Sequence, residues 1–436
     1  FGIDYKFLPV RPVLFSLIIA GFLKISNTEI LPRLLIFLLS IASIYGMYLF
    51  GKEVYGKKIG LICAFFTSVF YLHIFHTYRL LVDLPSFTFF VFAGVFFYKY
   101  FKDNSNKKAL YIGAVIIAIG TLFRITTAIL LFAILIYVLV TEKLNCLKKK
   151  EYWIAALIFM LILSPYIIWG YLQFNGFVIT QAGAWNAPDG NYLLNGLWNL
   201  KSYISLFPSM FSWIFLTFFI LGSILMYKLI LGFDLLLKGK EPELKKYLFL
   251  FLIIIIPILT VSFSINHYFE DRYVMNSLPG IFIVTSHFII IVYKLIKSKS
   301  KLLAVIFLIF LLGSIGYIQL NHANDIINSR KDSYLHVKQA GLWLKQNSNE
   351  KDIILTRSHP LIKYYSEREV IDIPKEEEIN SIISSNQSIK FYIASIFENH
   401  ENWMYAFPLE NNLTAVQAYF MDSAKEQPSL IIYKLQ

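Results

Sequence analysis

Three ionisable residues, His76, Arg79 and Asp83, lie in the segment HTYRLLVDLP between two apolar runs. Charged groups are costly to hold in a membrane, so those at its border are candidates for chemistry. The carboxylate of Asp83 could act as a general base or as a ligand, and Arg79 could bind a phosphate or pair with that carboxylate. A structural role fits Asp83 equally well, because an Asp followed two residues later by Pro85 favours a helix N-terminus.

A second cluster, in NHYFEDRYVMNSLPG, has Asp271, Arg272 and Tyr273 just before an apolar run. An Arg beside a Tyr hydroxyl can hold a phosphate or diphosphate, although both residue types are also common interfacial anchors. Arg124 lies between two further apolar runs. If these arginines and Arg79 lie at similar depth, they could together hold an anionic lipid headgroup.

The segment 172–208 contains QAGAWNAPDGNY, and its tryptophans include Trp185 and Trp198. Aromatic rings with Asn and Asp suit the binding of a sugar, and they equally suit a loop that rests on the bilayer. Cys63 and Cys146 form no CxxC or Cys/His pattern, which indicates two unlinked thiols. The sequence contains no nucleotide-binding or hydrolase motif, so nucleotide-driven and hydrolase chemistries have no support.

Hydrophobic residues make up 57% of the 436 residues and charged residues 16%, whereas soluble domains average about 45–50% and about 25%. The net charge of +12 is uneven. Residues 321–436 contain 12 Lys and Arg against 15 Asp and Glu, so residues 1–320 carry +15. Basic clusters between apolar runs are typical of membrane proteins. We therefore expect a membrane protein with no nucleic-acid partner.

A membrane-spanning helix needs about 20 mostly apolar residues. The sequence predicts spans near 30–51, 59–78, 84–101, 109–123, 125–141, 152–171, 209–232, 247–264, 273–295 and 302–320. The shorter run 9–25 begins with prolines, which favours a helix in the interface. The predicted fold class is a polytopic α-helical membrane protein with about ten transmembrane helices, which occupy a first domain, residues 1–320.

The composition changes after Leu320, where a second predicted domain, residues 321–436, begins. Residues 332–347 have the spacing of an amphipathic helix, which we expect at the start of this domain. β-like runs follow at 352–356, 369–373, 389–394 and 429–434. Alternating strands and helices predict a small C-terminal α/β domain.

Clusters of basic residues lie on alternate connections between the predicted spans, near 52–58, 99–108, 143–150, 228–246 and 294–301. The positive-inside rule makes these connections cytoplasmic. The other connections then face outward, so we expect a multi-pass protein of the cell membrane whose active site and C-terminal domain are extracytoplasmic. This topology and the start at Phe1 instead of Met lead us to expect one further helix upstream.

Four segments, in this order, resemble motifs of the C-type glycosyltransferases, in the branch of the dolichyl-phosphate-mannose protein mannosyltransferases and the lipid A aminoarabinose transferase. VRPVLFSLIIAGFLKI is similar to a family segment with two prolines, and EILPRLLIFLLS, with Arg33, to the helix start that follows it. FHTYRLLVDLPSFTFF is similar to the second acidic motif, with Asp83 in the matching place. DRYVMNSLPGIFIV resembles the RYxxpxlP segment, and the tail with LTRSHPLIKYYSEREVIDIP resembles an outer α/β domain.

The resemblance implies transfer of a sugar from a polyprenyl or dolichyl phosphate to an acceptor hydroxyl, with inversion at the anomeric carbon. Asp83 would orient the acceptor or a metal, and Arg272 and Tyr273 would bind the phosphate. The other predicted substrate-binding residues are His76, Arg79, Arg124 and Asp271. In the family the principal catalytic acid follows the first helix, so the matching residue is expected upstream of Phe1.

We therefore predict a mannosyltransferase-like membrane glycosyltransferase. Its partners would be a lipid-phosphate sugar, membrane lipids and an acceptor that is a protein, a lipid or a glycan. The residues identify no cofactor with certainty and leave a divalent metal open. The alternative is a non-enzymatic transporter or flippase for a polyprenyl-linked glycan, which is expected to have two related halves around a midplane site. A related ligase or a non-catalytic scaffold is a third interpretation.

Overall fold

The computed structural model describes residues 12–26, 28–174, 192–232, 241–264, 270–398, 400–421 and 427–435. The chain forms two compact units that divide between Ile326 and Ile327. The first unit is helical, and the second contains a five-stranded sheet.

Fourteen α-helices begin in the described residues of the first unit, and the last of them continues past Ile326. They are α1 (Leu14–Ile25), α2 (Ile30–Tyr55), α3 (Lys57–Val69), α4 (Tyr71–His76), α5 (Asp83–Lys102), α6 (Lys107–Phe123), α7 (Ile129–Glu142), α8 (Lys150–Phe174), α9 (Tyr192–Phe211), α10 (Trp213–Ile224), α11 (Tyr227–Leu231), α12 (Pro242–Ser264), α13 (Leu278–Lys297) and α14 (Lys301–Arg330). Short 3₁₀ helices, at Ile125–Ala128, Lys143–Lys148 and Asp271–Ser277, precede α7, α8 and α13.

Seven helical stretches in the described part of the chain are long and apolar enough to cross a membrane. The expected polytopic α-helical fold is therefore confirmed. The three other predicted spans are shorter or interrupted. The span expected at 59–78 is divided at Phe70, α6 has 17 residues, and the span expected at 209–232 is divided between α10 and α11.

The segment 172–208, which was expected to be an outer loop, is partly helical. Helix α9 covers its last part, and Asn199 and Tyr203 on this helix are buried. A new helix begins at Trp213, after Ser212 adopts a positive φ of 63°. The prediction missed α9 because its Asn, Lys and Ser residues make the stretch more polar than a typical span. The turn residues expected around Trp185 lie outside the described residues.

Aromatic side chains fill the interior of the helical unit. The ring of Phe66 packs 5.0 Å from that of Phe215 and 5.8 Å from that of Phe282, between centroids, and joins α3, α10 and α13. Phe249 of α12 packs 5.3 Å from Tyr98 and 5.6 Å from Tyr137. Such edge-to-face and tilted contacts stabilise helix pairs beyond the burial of their area.

The basic ends of several helices lie together. Lys99, near the end of α5, is 3.8 Å from Glu53, near the end of α2. Lys107, at the start of α6, is 3.8 Å from Glu151, at the start of α8. A short turn joins α5 to α6, so three of the predicted cytoplasmic connections share one end of this unit.

The second unit contains α15 (Leu335–Asn347), α16 (His359–Ser366), α17 (Glu376–Ser385) and α18 (Asn402–Glu410). Its strands are β1 (Ile353–Leu355), β2 (Glu369–Ile371), β3 (Ile389–Ser395), β4 (Thr414–Phe420) and β5 (Pro428–Lys434). The sheet order is β2-β1-β3-β5-β4, in which β1 is parallel to β2 and β3, and β5 is antiparallel to β3 and β4. This confirms the expected small α/β domain.

Alternate residues of the strands face opposite sides of this sheet. Ile353 and Leu355 pack with α17 and α18 on one side, and Ile354 packs with α15 and α16 on the other. Strand β4 was not predicted. Within the described ranges it is an edge strand that pairs with β5 alone, and none of its own residues is fully buried. Its sequence lacks the apolar run that identified the other four strands, because an edge strand needs fewer apolar residues.

Candidate functional site

Asp83 is the first residue of α5, and its side chain is 3% exposed. One carboxylate oxygen, Oδ1, accepts a hydrogen bond from Nη1 of Arg124. The other oxygen, Oδ2, lies 3.8 Å from Nη1 of Arg272. A buried carboxylate needs such partners. Asp83 therefore joins two arginines that come from separate parts of the chain.

Arg124 is held at this position by the turn between α6 and α7. It has extended backbone angles directly after α6, and the 3₁₀ helix Ile125–Ala128 follows. The hydroxyl of Thr127 in this turn is 2.8 Å from the hydroxyl of Ser86 and donates to the carbonyl of Gly120. These bonds fix the turn against the first residues of α5, so the guanidinium group of Arg124 reaches Asp83.

Arg272 comes from the 3₁₀ helix Asp271–Ser277, which leads into α13. The side chain of Asn276 in this helix donates to the carbonyl of Thr126 at 3.4 Å, which ties the two 3₁₀ helices together. The guanidinium group of Arg272 also pairs with the carboxylate of Glu270, whose side chain is 44% exposed. Arg272 therefore has one buried acidic partner and one that is open to solvent.

The ring of Tyr273 lies near both arginines. The guanidinium carbon of Arg124 is 5.6 Å from the ring centroid, and that of Arg272 is 5.4 Å from it. Both distances fall within the range of cation–π attraction. The two side chains are about one-fifth exposed, so each guanidinium keeps part of its surface available to a ligand.

Asp271 makes a different set of contacts. Its Oδ2 accepts a hydrogen bond of 2.5 Å from the hydroxyl of Tyr71, and its Oδ1 accepts one of 3.1 Å from the backbone N–H of Arg272. The ring of Tyr71 is stacked on that of His322 at 3.9 Å. Asp271 thus belongs to the support of the arginine segment.

His76 is buried at the end of α4, and no hydrogen-bond partner of its Nδ1 is found among the described residues. It lies within electrostatic range of Asp83, Arg272, Arg79 and Asp271. The guanidinium group of Arg79 is stacked on the ring of Phe75 at 3.9 Å.

The structure therefore brings the seven predicted site residues to one end of the helical unit. They are His76, Arg79, Asp83, Arg124, Asp271, Arg272 and Tyr273. This end is opposite the basic connections, because Asp83 begins α5 whereas Lys99 is near its end. Sequence reasoning missed the contribution of Tyr71, which lies in an apolar run and has no periodic signal. His267, in the segment NHYFEDRYVMNSLPG, and Arg11, in VRPVLFSLIIAGFLKI, lie outside the described residues.

No group of three His, Cys, Asp or Glu side chains suited to hold a metal ion is found within the described ranges. Arg124 and Arg272, which pair with Asp83, do not favour a cation there, and His76 also lies within electrostatic range. The sequence left a divalent metal open, and it stays open.

A family model described as dolichyl-phosphate-mannose-protein mannosyltransferase matches residues 10–169. No curated protein matches the sequence. The matched residues include α2 to α7 and therefore Asp83 and Arg124.

Solved structures with a similar fold include ArnT from Cupriavidus metallidurans bound to undecaprenyl phosphate. It has a TM-score of 0.63 and 9% sequence identity, with 99% of this chain and 88% of that chain covered. The Archaeoglobus fulgidus oligosaccharyltransferase in complex with Zn and sulfate has a TM-score of 0.58 and 12% identity, over 90% of this chain and 59% of that chain. The archaeal oligosaccharyltransferase AglB from Archaeoglobus fulgidus, in complex with an inhibitory peptide and a dolichol-phosphate, has a TM-score of 0.55 and 14% identity, over 90% of this chain and 61% of that chain.

Proposed function

We propose that this chain, which has the fold of the C-type glycosyltransferase superfamily and matches a family model over residues 10–169, is a membrane glycosyltransferase that uses a lipid-phosphate sugar. The expected resemblance to this superfamily is confirmed by the fold and by this match, which includes the first three of the four motif segments. The donor is a sugar on polyprenyl or dolichyl phosphate, and the acceptor is a hydroxyl group.

The convergence of Arg124 and Arg272 on one tyrosine ring carries this proposal. The two guanidinium groups lie near the Tyr273 ring, and the two arginine side chains are about one-fifth exposed. Planar guanidinium groups bind phosphate oxygens through paired hydrogen bonds. The solvent-exposed carboxylate of Glu270 now occupies the position on Arg272 that a phosphate would take. A lipid phosphate can therefore replace Glu270 while Asp83 continues to hold both arginines.

In the proposed reaction the acceptor oxygen forms a bond to the anomeric carbon of the sugar, with inversion. The bond between this carbon and the phosphate oxygen breaks, and the lipid phosphate leaves with the electron pair. Arg124, Arg272 and Tyr273 stabilise the charge that develops on that oxygen. The proton of the acceptor hydroxyl passes to an acidic residue that acts as the general base.

Asp83 acts in this proposal as an orienting residue. Its two oxygens face Arg124 and Arg272, so it sets the distance between the two cations. The residue is 4% exposed and lies at the first turn of α5, where a helix N-terminus favours a negative charge.

The site is proposed to face the outside of the membrane, together with the second unit. The basic connections share the opposite end of the helical unit, and Tyr55 at the end of α2 is stacked there on His287 of α13 at 3.9 Å. Lys246, at the start of α12, lies 5.7 Å from the Tyr55 ring. Basic residues gathered at one end favour a cytoplasmic location for that end.

The test is a transfer assay with the purified protein in lipid bilayers. Synthetic polyprenyl-phosphate sugars that differ in the sugar, mannose among them, are offered with membrane extracts, and mass spectrometry follows the release of polyprenyl phosphate. We expect release from at least one donor, and a strong loss in Arg272→Ala but not in Lys107→Ala, a control at the basic end. Movement of an intact donor across the bilayer, without release, would indicate the transporter instead.

A further inference from the structure

We infer that Tyr71 and Asp271 form a positioning pair that sets the orientation of Arg272, an inference that rests on the proposed function. The hydroxyl of Tyr71 donates to Oδ2 of Asp271 at 2.5 Å, and Oδ1 of the same carboxylate accepts from the backbone N–H of Arg272. Both carboxylate oxygens are therefore used within the protein. This assigns Asp271 to the support of the phosphate-binding segment.

The helix break at Phe70 makes this contact available. Phe70 has extended backbone angles between α3 and α4, so α4 begins at Tyr71 and its first N–H has no partner within the helix. That N–H donates to Oε1 of Gln319 at 3.2 Å, and Nε2 of Gln319 donates to the carbonyl of Met210 at 2.8 Å. A continuous helix would use this N–H for its own ladder. The break lets one buried glutamine fix the backbone of Tyr71.

The ring of Tyr71 is fixed as well. It is 1% exposed and is stacked on His322 at 3.9 Å with an interplanar angle of 17°. Gln319 and His322 are both on α14, so this helix holds Tyr71 through its backbone and its ring. A side chain with so little freedom can fix its partner, because little rotamer entropy is lost when the hydrogen bond forms. The Tyr71 hydroxyl thus holds Asp271 at a defined place, one residue before Arg272.

The variant Tyr71→Phe removes only the hydroxyl. We expect the KM for the polyprenyl-phosphate sugar to rise about 10-fold, as the loss of a hydrogen bond to a carboxylate predicts, while kcat changes little. Asp271→Ala should raise the KM at least as much, because it also removes the acceptor of the Arg272 backbone N–H. The double variant should lose no more than Asp271→Ala alone, because the Tyr71 contact is already absent in that variant. The control is Tyr98→Phe, which removes the hydroxyl of a buried tyrosine near the basic end. Independent, additive losses, or a KM unchanged in Tyr71→Phe, would refute the positioning pair.

Hydrogen exchange of the purified protein without donor separates this inference from the proposed function. In Tyr71→Phe the amides of the segment Asp271–Ser277 should exchange faster than in the unmodified protein, and in Tyr98→Phe they should not. Unchanged exchange in Tyr71→Phe overturns the pair even if the protein transfers no sugar. Conversely, an absence of transfer in the unmodified protein counts against the proposed function. Faster exchange in Tyr71→Phe would still support the positioning pair in that case.

Discussion

Asp83 and Arg272 lie within 3.8 Å of each other, Oδ2 to Nη1, although one begins α5 and the other precedes α13. Arg124, from a third part of the chain, donates to the other oxygen of the same carboxylate. A buried carboxylate between two guanidinium groups keeps them close in spite of their mutual repulsion. The free energy that holds the two cations together in the absence of a ligand therefore comes in large part from Asp83.

Replacement of Asp83 by Asn should remove the charge that holds both arginines. We expect transfer to fall by about 100-fold or more, because the phosphate-binding groups lose their spacing. The thermal unfolding temperature in detergent should also fall, since two partly buried cations lose their common partner. Size-exclusion chromatography checks that the fold persists. Unchanged transfer would contradict the role of Asp83.

Replacement of Arg272 by Lys keeps the charge but removes the planar fork. One ammonium group cannot reach the carboxylate of Asp83 and a phosphate with the same geometry, so we expect the KM for the donor to rise about 10- to 100-fold. The same substitution is not conservative at Arg124 for the same reason. Titration with polyprenyl phosphate measures the affinity. Equal affinity in Arg272→Lys and the unmodified protein would mean that only charge matters.

Glu270→Gln is expected to act in the opposite direction. Glu270 is exposed and pairs with the group of Arg272 that a phosphate would use, so it competes with the donor. Because exposed ion pairs contribute only about 0–1 kcal/mol, its loss should leave the unfolding temperature nearly unchanged. The affinity for polyprenyl phosphate should stay equal or rise by up to about fivefold. A clear fall in affinity would show that Glu270 itself contributes to binding.

Gly280 tests the packing behind the site. A Cβ at this position would lie 2.4 Å from Cγ1 of Ile254, so Gly280→Ala should push α13 away from α12. We expect a loss of about 1–3 kcal/mol of stability, measured by thermal unfolding, with a weaker affinity for the donor. Gly313→Ala is the matched control, because a Cβ there meets no atom within 4 Å. Equal unfolding temperatures in the two variants would contradict this packing argument.

Cysteine labelling tests the proposed orientation. Both native cysteines, Cys63 and Cys146, are buried, so labelling of the unmodified protein should be low. A membrane-impermeant maleimide added to intact cells should label Lys351→Cys, which is exposed in the second unit. It should label Asn104→Cys, in the turn between α5 and α6, only after the cells are opened. The reverse pattern would place the site on the cytoplasmic face.

The sequence allowed the charged part of the site to be predicted, because charges between apolar runs are rare and their side of the membrane follows from the basic connections. Arg124 and Arg272 could in this way be predicted to lie at the same depth in the membrane. The contact of Asp271 with Tyr71 could not be predicted from the sequence. It depends on the helix break at Phe70, where the residues remain apolar and give no turn signal. Spacing alone likewise did not reveal that Asp83 would pair with two cations at once.

The same limit applies to the elements. Helix α9 was missed because its polar residues concealed a buried face, and β4 because an edge strand needs fewer apolar residues. The strands with continuous apolar runs, such as β3, were predicted nearly to the residue. Hydrophobic pattern thus identifies elements that are buried on both sides more readily than those buried on one.

The ring of Tyr273 contacts both guanidinium groups, so Arg124 and Arg272 share a single aromatic surface. A change in the shape or charge of one of them alters the surroundings of the other through this ring. The two positions are therefore not independent in evolution. A tolerated exchange at one of them would require a matching exchange at the other, and the pair should vary jointly among related sequences or not at all.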